Sequence, residues 1–148
     1  CVNAPNLSLH LDTFHMNIEE TSFYEPVIAA GSRLRHIHMT ESDRGMLGEG
    51  NVRWDDLFRG LQEIDFNGNL VLENFSNSVP GMAEAVSLWR PSKYNADALA
   101  KGSLPFMRKM ARKYQKSINY RKTAAVLPHG GCSNVMSNEM VASILSFK

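Results

Sequence analysis

Leu7-Ser8-Leu9-His10-Leu11-Asp12-Thr13 alternates apolar and polar residues with period two and closes on a carboxylate, which reads as a β-strand with Asp12 at its C-terminal end. Two further short stretches with apolar residues also read as strands carrying a ligand-type residue at or near the end. Arg33-Leu34-Arg35-His36-Ile37-His38-Met39 is a second strand with His38 near its end, and Leu70-Val71-Leu72-Glu73 is a third, closed by Glu73. Between the first two, 17–30 is patterned as a helix: Ile18, Val27 and Ile28 are apolar, Glu19 and Glu20 stand in the first turn, Gly31 follows the last, and Pro26 is a point of interruption. Trp54, Leu57, Phe58, Leu61 and Ile64 recur every three or four residues, a helical stripe ending near Asn67-Gly68. Residues 82–89 are expected to be helical, and so are 96–120, with a break near Pro105. The order β, α, β, α, β, α is that of a parallel sheet with helices packed outside it. Polar residues collected at successive strand ends are what the open face of a β/α barrel carries.

A closed barrel needs eight such units and roughly 250 residues, whereas about three fit here. The expected fold is therefore α/β, the C-terminal part of a (β/α)8 barrel. Residues 1–118 form the partial barrel, and 119–148 a tail of unknown role in which Val135, Met136, Met140, Val141, Ile144 and Leu145 are spaced for one amphipathic helix. The chain opens with Cys1 rather than Met, directly before a polar turn and a strand, and so reads as N-terminally truncated.

Composition removes several function classes. With 148 residues, 16 basic against 15 acidic side chains and a formal charge of +1, the chain has no bulk field to draw nucleic acid or an anionic membrane. Its two cysteines, Cys1 and Cys132, have no companions at metal-finger spacing, which disfavours a disulfide framework or zinc ribbon and suits a reducing cytoplasm. No apolar run approaches the roughly 20 residues of a membrane helix.

Taken singly, the polar strand-end residues have ordinary explanations. Asp12 reads as an Asx turn or helix cap, one of His36 and His38 as a hydrogen-bonded core histidine, and Arg44 as a solvated loop charge among Glu41, Ser42 and Asp43. Glu73 is harder to dismiss, because a carboxylate after three large aliphatic residues lies at a buried strand end and needs a cation or donor beside it. Together, Asp12, His38 and Glu73 offer two carboxylates and an imidazole, a set suited to Mn²⁺, Mg²⁺ or Co²⁺. Trp54, Met82, Met107 and Met110 fall on helical periodicity and read as core. Arg108, Lys109, Arg112, Lys113 and Lys116 read as a solvated face, and Asp55 and Asp56 as support for a helix start.

The strings 11–20 (LDTFHMNIEE), 36–45 (HIHMTESDRG) with Gly48-Glu49-Gly50, and 72–75 (LENF), together with Val86-Ser87-Leu88-Trp89-Arg90, closely resemble the D-tagatose and D-psicose (allulose) 3-epimerase family of the xylose-isomerase-like barrels. The spacings agree: three residues from Asp12 to His15, 26 to His38, then six to Arg44 and 35 from His38 to Glu73. The resemblance runs to about Met110. It implies a metal-dependent ketose 3-epimerase in which Asp12, His38 and Glu73 are metal ligands for Mn²⁺, Co²⁺ or Mg²⁺. Glu73 would also be catalytic, exchanging the C3 proton, and His15 and Arg44 would bind the O1 and O2 end of an open-chain ketose. Removing a weakly acidic proton beside the C2 carbonyl yields a cis-enediolate that a divalent ion stabilises, and two carboxylates on opposite faces exchange the proton. The family's fourth ligand and second acid/base group, a glutamate on the preceding strand, has no counterpart in this sequence, and Glu41 is the first substitute to consider.

The resemblance leads to a small-molecule ketose as partner, no nucleic acid or membrane, a homo-oligomer at family length and a cytoplasmic location. The chain by itself is expected to be at most weakly active. Three other readings remain: an aldose–ketose or sugar-phosphate isomerase on the same barrel; a metal-dependent nuclease of the endonuclease IV type, against which the charge and five histidines argue; and a non-catalytic half-barrel.

Overall fold

The computed structural model describes residues 4–75, 80–114 and 143–146. Strand β1 (Leu9–Asp12) is followed by α1 (Thr13–Glu19), α2 (Glu25–Ala30), a 3₁₀ turn (Gly31–Arg33), β2 (Leu34–Met39), α3 (Trp54–Glu63), β3 (Asn69–Leu72), α4 (Met82–Ala85), α5 (Ala96–Tyr114) and β4 (Ser143–Ser146). The strands form one sheet in the order β1-β2-β3-β4, with β1, β2 and β3 mutually parallel. This is the arrangement expected from the β, α alternation.

Register decides which residues meet. Asp12 pairs with His38 and His38 with Val71, while His10 pairs with His36 and His36 with Asn69. Partners in parallel strands share a face and side chains alternate faces, so His10, Asp12, His36 and His38 line one face, and Glu73, two residues beyond Val71, falls on it too. The opposite face carries Ile37, Met39, Leu70 and Leu72, all fully buried. Against them pack Val27, Leu57, Phe58, Leu61, Met107 and Met110, joined by Trp54. Of Trp54, Met82, Met107 and Met110, Met82 alone is only partly buried, and neither His36 nor His38 is a core histidine, both being half-buried.

The helices depart from their sequence patterns at positions with identifiable causes. The single helix expected over 17–30 is two. Asp12 caps α1 by accepting from Phe14 N at 2.8 Å, so the helix begins at Thr13. Glu20 is extended and ends it, and Ser22 Oγ then accepts from Tyr24 N and Glu25 N. Pro26 thus lies at the start of a new helix, where its missing N–H costs nothing.

Helix α3 ends at Asp65 (φ 51°), with Phe66 N donating to Leu61 O and Asp65 N to Gln62 O. Helix α4 stops after one turn at Ser87 (φ 57°), with Leu88 N on Ala83 O and Ser87 N on Glu84 O. Both are Schellman ends built without glycine. Helix α5 runs unbroken through Pro105, which lies with Lys101 on the exposed side of the helix, where a carbonyl left without its helical N–H costs less than in the core. Residues 115–120 of that expected helix lie outside the described residues. Asp55 does more than favour a helix start: its Oδ1 accepts from Lys113 Nζ at 2.6 Å and from Tyr114 Oη at 2.5 Å, tying α3 to α5.

The amphipathic helix expected near the C-terminus is not what Ser143–Ser146 forms. These residues are β4, antiparallel to β3 with Asn69 opposite Ser146 and Leu72 opposite Ser143. The free edge of β3 offers a row of backbone donors and acceptors, and pairing with it prevails over helical spacing. Val135, Met136, Met140 and Val141 lie outside the described residues.

Candidate metal and substrate site

At the C-terminal ends of the three parallel strands, His38 Nδ1 stands 3.1 Å from Glu73 Oε1 and 3.5 Å from Asp12 Oδ2. One ligand atom from each of Asp12, His38 and Glu73 lies within 4.8 Å of the other two. Ligands on opposite sides of a divalent ion bound at roughly 2.0–2.6 Å are about 4–5 Å apart, so the spacing fits a cation with little movement. All three are partly buried, shielded enough to strengthen their electrostatics and open enough to meet a ligand.

Each is held by its own local structure. Asp12 divides its carboxylate: Oδ1 caps α1 and Oδ2 faces His38, so the cap and the cluster are one feature. Thr13, fully buried, donates to Thr40 O at 2.6 Å and accepts from Thr40 N at 2.8 Å, clamping the exit of β1 to that of β2. Glu73 N donates to Met39 O. Glu73 Oε2 accepts from Thr40 Oγ1 and from Arg44 Nη1, both at 3.3 Å.

Arg44 is not a solvated loop charge. It is buried, its backbone is left-handed (φ 57°), and its guanidinium lies 3.8 Å from the Phe14 ring centre and 4.7 Å from that of Phe75. Its Nε is buried without a hydrogen-bond partner, a donor in need of an acceptor. Arg44 also lines a cleft of about 600 Å³ with Phe14, Asp43, Met46, Phe75 and Trp89. His15 is exposed and sets its ring against Phe14 at 5.3 Å; it does not join the Asp12–His38–Glu73 cluster.

Glu41 is not available as a base. It is fully buried, and its carboxylate accepts from Ser42 N, Val52 N, Gly48 N and Trp54 Nε1 at 2.9–3.0 Å, organising the 40–53 loop from inside. Trp54 is core, as its spacing suggests, yet its N–H serves that loop. Thr13, Thr40, Phe14 and Phe75 are contributors that spacing alone does not single out. The available signal is position, since each lies within two residues of a strand-end polar residue.

His10 and His36 sit on the same face. Burial, then the neighbouring His38, holds both below the ordinary 6.5; His36 lowers His10 further and Asp12 opposes this. The unfolded chain therefore takes up these protons first as pH falls below about 6.5, so the folded state loses stability on acidification. In EDTA, the urea midpoint should drop between pH 7.5 and pH 5, and H10Q/H36Q should flatten that dependence. An equally steep profile in the variant would assign the acid sensitivity elsewhere.

Residues 2–110 match the family described as the xylose isomerase-like TIM barrel. The L-ribulose 3-epimerase of Methylomonas sp. (strain DH-1) is 43% identical over 109 residues, 72% of this chain and 38% of that protein. The ketose 3-epimerase of Arthrobacter globiformis is 44% identical over 91 residues, covering 60% and 32%. The crystal structure of D-allulose 3-epimerase from Methylomonas sp. in complex with D-allulose superimposes with a TM-score of 0.68 at 42% identity, over 73% of this chain and 38% of that one. The match thus spans about a third to two fifths of these proteins' length. Among the described residues, no helix is long and apolar enough to cross a membrane.

Proposed function

Because the chain belongs to the xylose isomerase-like TIM barrel family, we propose that it carries the metal and substrate half of a ketose 3-epimerase acting on a free ketose in the cytoplasm. Asp12, His38 and Glu73 would hold Mn²⁺, Co²⁺ or Mg²⁺, and Glu73 would move the C3 proton. The observation that carries this reading is the position of His38 Nδ1 between a carboxylate oxygen of Asp12 and one of Glu73. A divalent ion, when bound, supplies charge stabilisation for the oxygens at C2 and C3 as the proton leaves.

The chain's own groups account for the remaining requirements. Glu73 is kept from rotating by Thr40 and Arg44 on Oε2, leaving Oε1 on the His38 side. Arg44, packed against Phe14 and Phe75, lines the cleft, and its guanidinium would serve as a donor for charge developing at O2. His15, exposed on the first turns of α1, would bind the O1 end of the sugar. Full inversion at C3 needs proton exchange on both faces. With Asp12 and His38 assigned as ligands only, Glu73 is the one proton-transfer group of the cluster, so exchange of the C3 proton with solvent is the partial reaction assigned to the chain tested by itself.

The test is to incubate the purified chain with Mn²⁺, Co²⁺ or Mg²⁺ and D-fructose, D-tagatose, D-allulose or L-ribulose in D₂O, reading label at each carbon. Exchange confined to C3 is expected. Label at C1 with aldose formation would replace the epimerase reading by an aldose–ketose isomerase, and no exchange with any ion would remove the catalytic reading of this chain.

Arg44→Ala should lower C3 exchange by about 10²–10³-fold, the usual scale for one donor to a developing oxyanion. Its Mn²⁺ affinity, measured by calorimetry, should be unchanged or tighter, because a cation competing for Glu73 has been removed. Loss of Mn²⁺ binding would show that Arg44 builds the metal site.

A further inference from the structure

One residue pair deeper in the sheet than Asp12 and His38, β1 and β2 carry the register partners His10 and His36 on the same face. With His38 they form a tight group of three imidazoles. Ring centres are separated by 4.8 Å (His10–His36), 4.2 Å (His10–His38) and 5.1 Å (His36–His38), all edge-on. One ring nitrogen from each lies within 4.8 Å of the other two. Three nitrogens around a tetrahedral ion at about 2.0–2.1 Å stand about 3.3 Å apart, so closing on a cation takes side-chain movements on the order of an ångström. His10 is exposed and His36 and His38 are half-buried, which leaves an ion a way in.

We propose that His10, His36 and His38 form a second cation site, made of nitrogen alone and selective for borderline ions such as Ni²⁺ or Zn²⁺. Its chemistry differs from that of the oxygen-rich Asp12–His38–Glu73 set, which suits Mn²⁺ or Mg²⁺, because imidazole favours the later transition ions. The two sites share His38 and are therefore coupled. An ion held by the imidazoles competes for the side chain on which the oxygen-rich site depends. The site stands on the histidine geometry and does not require that the chain be an epimerase.

The experiment is calorimetric titration of the untagged 148-residue chain with Ni²⁺ and separately with Mn²⁺, using wild type, D12N/E73Q and H10Q/H36Q, each checked for native circular dichroism. D12N/E73Q should keep Ni²⁺ binding within about threefold of wild type, whereas H10Q/H36Q should weaken it by at least about tenfold, since losing even a residue that only orients a ligand costs about 10–100-fold. The single exposed-site variant H10Q should weaken it in the same direction, which covers the case where the double variant does not fold. Loss of Ni²⁺ binding in D12N/E73Q, or wild-type affinity in the histidine variants, would overturn the second site. Absence of Mn²⁺ binding in wild type would count against the proposed function and leave this inference standing.

Discussion

Replacing Glu73 by Gln is expected to slow exchange of the ketose C3 proton by about 10²–10⁴-fold, the range that a positioned general base contributes. Gln has nearly the same shape, so its amide oxygen can still accept from Thr40 Oγ1 and Arg44 Nη1, and little else in the local structure needs to change. What disappears is the charged acceptor. The substitution also removes one of three ligand atoms from the Asp12–His38–Glu73 set, so the exchange rate is to be followed by loss of the C3–H proton signal across a full Mn²⁺ titration. The part of the defect that saturating Mn²⁺ restores belongs to ligation, and the part that persists belongs to proton transfer. Glu73→Asp keeps the charge but retracts it by one methylene, and should recover Mn²⁺ affinity more fully than rate. If Glu73→Gln exchanges within threefold of wild type at saturating Mn²⁺, the base lies elsewhere.

The strands and their closing residues are legible because short apolar runs, alternating in β1 and continuous in β3, need only the order of apolar and polar residues, and Asp12, His38 and Glu73 each lie within one residue of a strand's end. Parallel register then forces them to one face, and the rest of the site follows from the backbone. Helix ends were less legible. Asp65 and Ser87 take left-handed conformations that a reader of sequence assigns to glycine, and Pro105 is tolerated inside a helix because it faces water. Nothing in sequence separates Glu41 from Glu49, two acidic residues of one loop. Yet Glu41 is fully buried on four N–H donors, while Glu49 is exposed and accepts from the Tyr94 hydroxyl. Long-range donors such as Trp54 Nε1 and Val52 N decide that difference, and they meet Glu41 only after the loop has closed.

Glu41→Ala should therefore be the most destabilising single change in the described part of the chain. The carboxylate joins Ser42 N and Val52 N on one oxygen and Gly48 N and Trp54 Nε1 on the other. Each bond to a charged acceptor is worth about 1.5–3 kcal/mol, set against the penalty for burying the charge. Truncation leaves four donors without their acceptor, two of them, Val52 N and Trp54 Nε1, buried, for an expected net loss of about 3–5 kcal/mol, a large share of the roughly 5–15 kcal/mol that typically holds a domain together. The readouts are the urea midpoint at constant slope and hydrogen exchange of the Gly48 and Val52 amides, which should lose protection first. Gly50→Ala should act in the same direction, because an added Cβ would fall 2.6 Å from Glu41 Oε1 and push the carboxylate off its donors. The consequence reaches the site through the chain itself: Arg44 N donates to Glu41 O at 2.8 Å, and the left-handed turn that aims Arg44 between Phe14 and Phe75 depends on that loop. Both variants should thus lose ketose affinity while Asp12, His38 and Glu73 still bind Mn²⁺. A Glu41→Ala chain with a midpoint shift worth less than about 0.5 kcal/mol, the range of an ordinary surface substitution, would show that the loop is held by something other than this carboxylate.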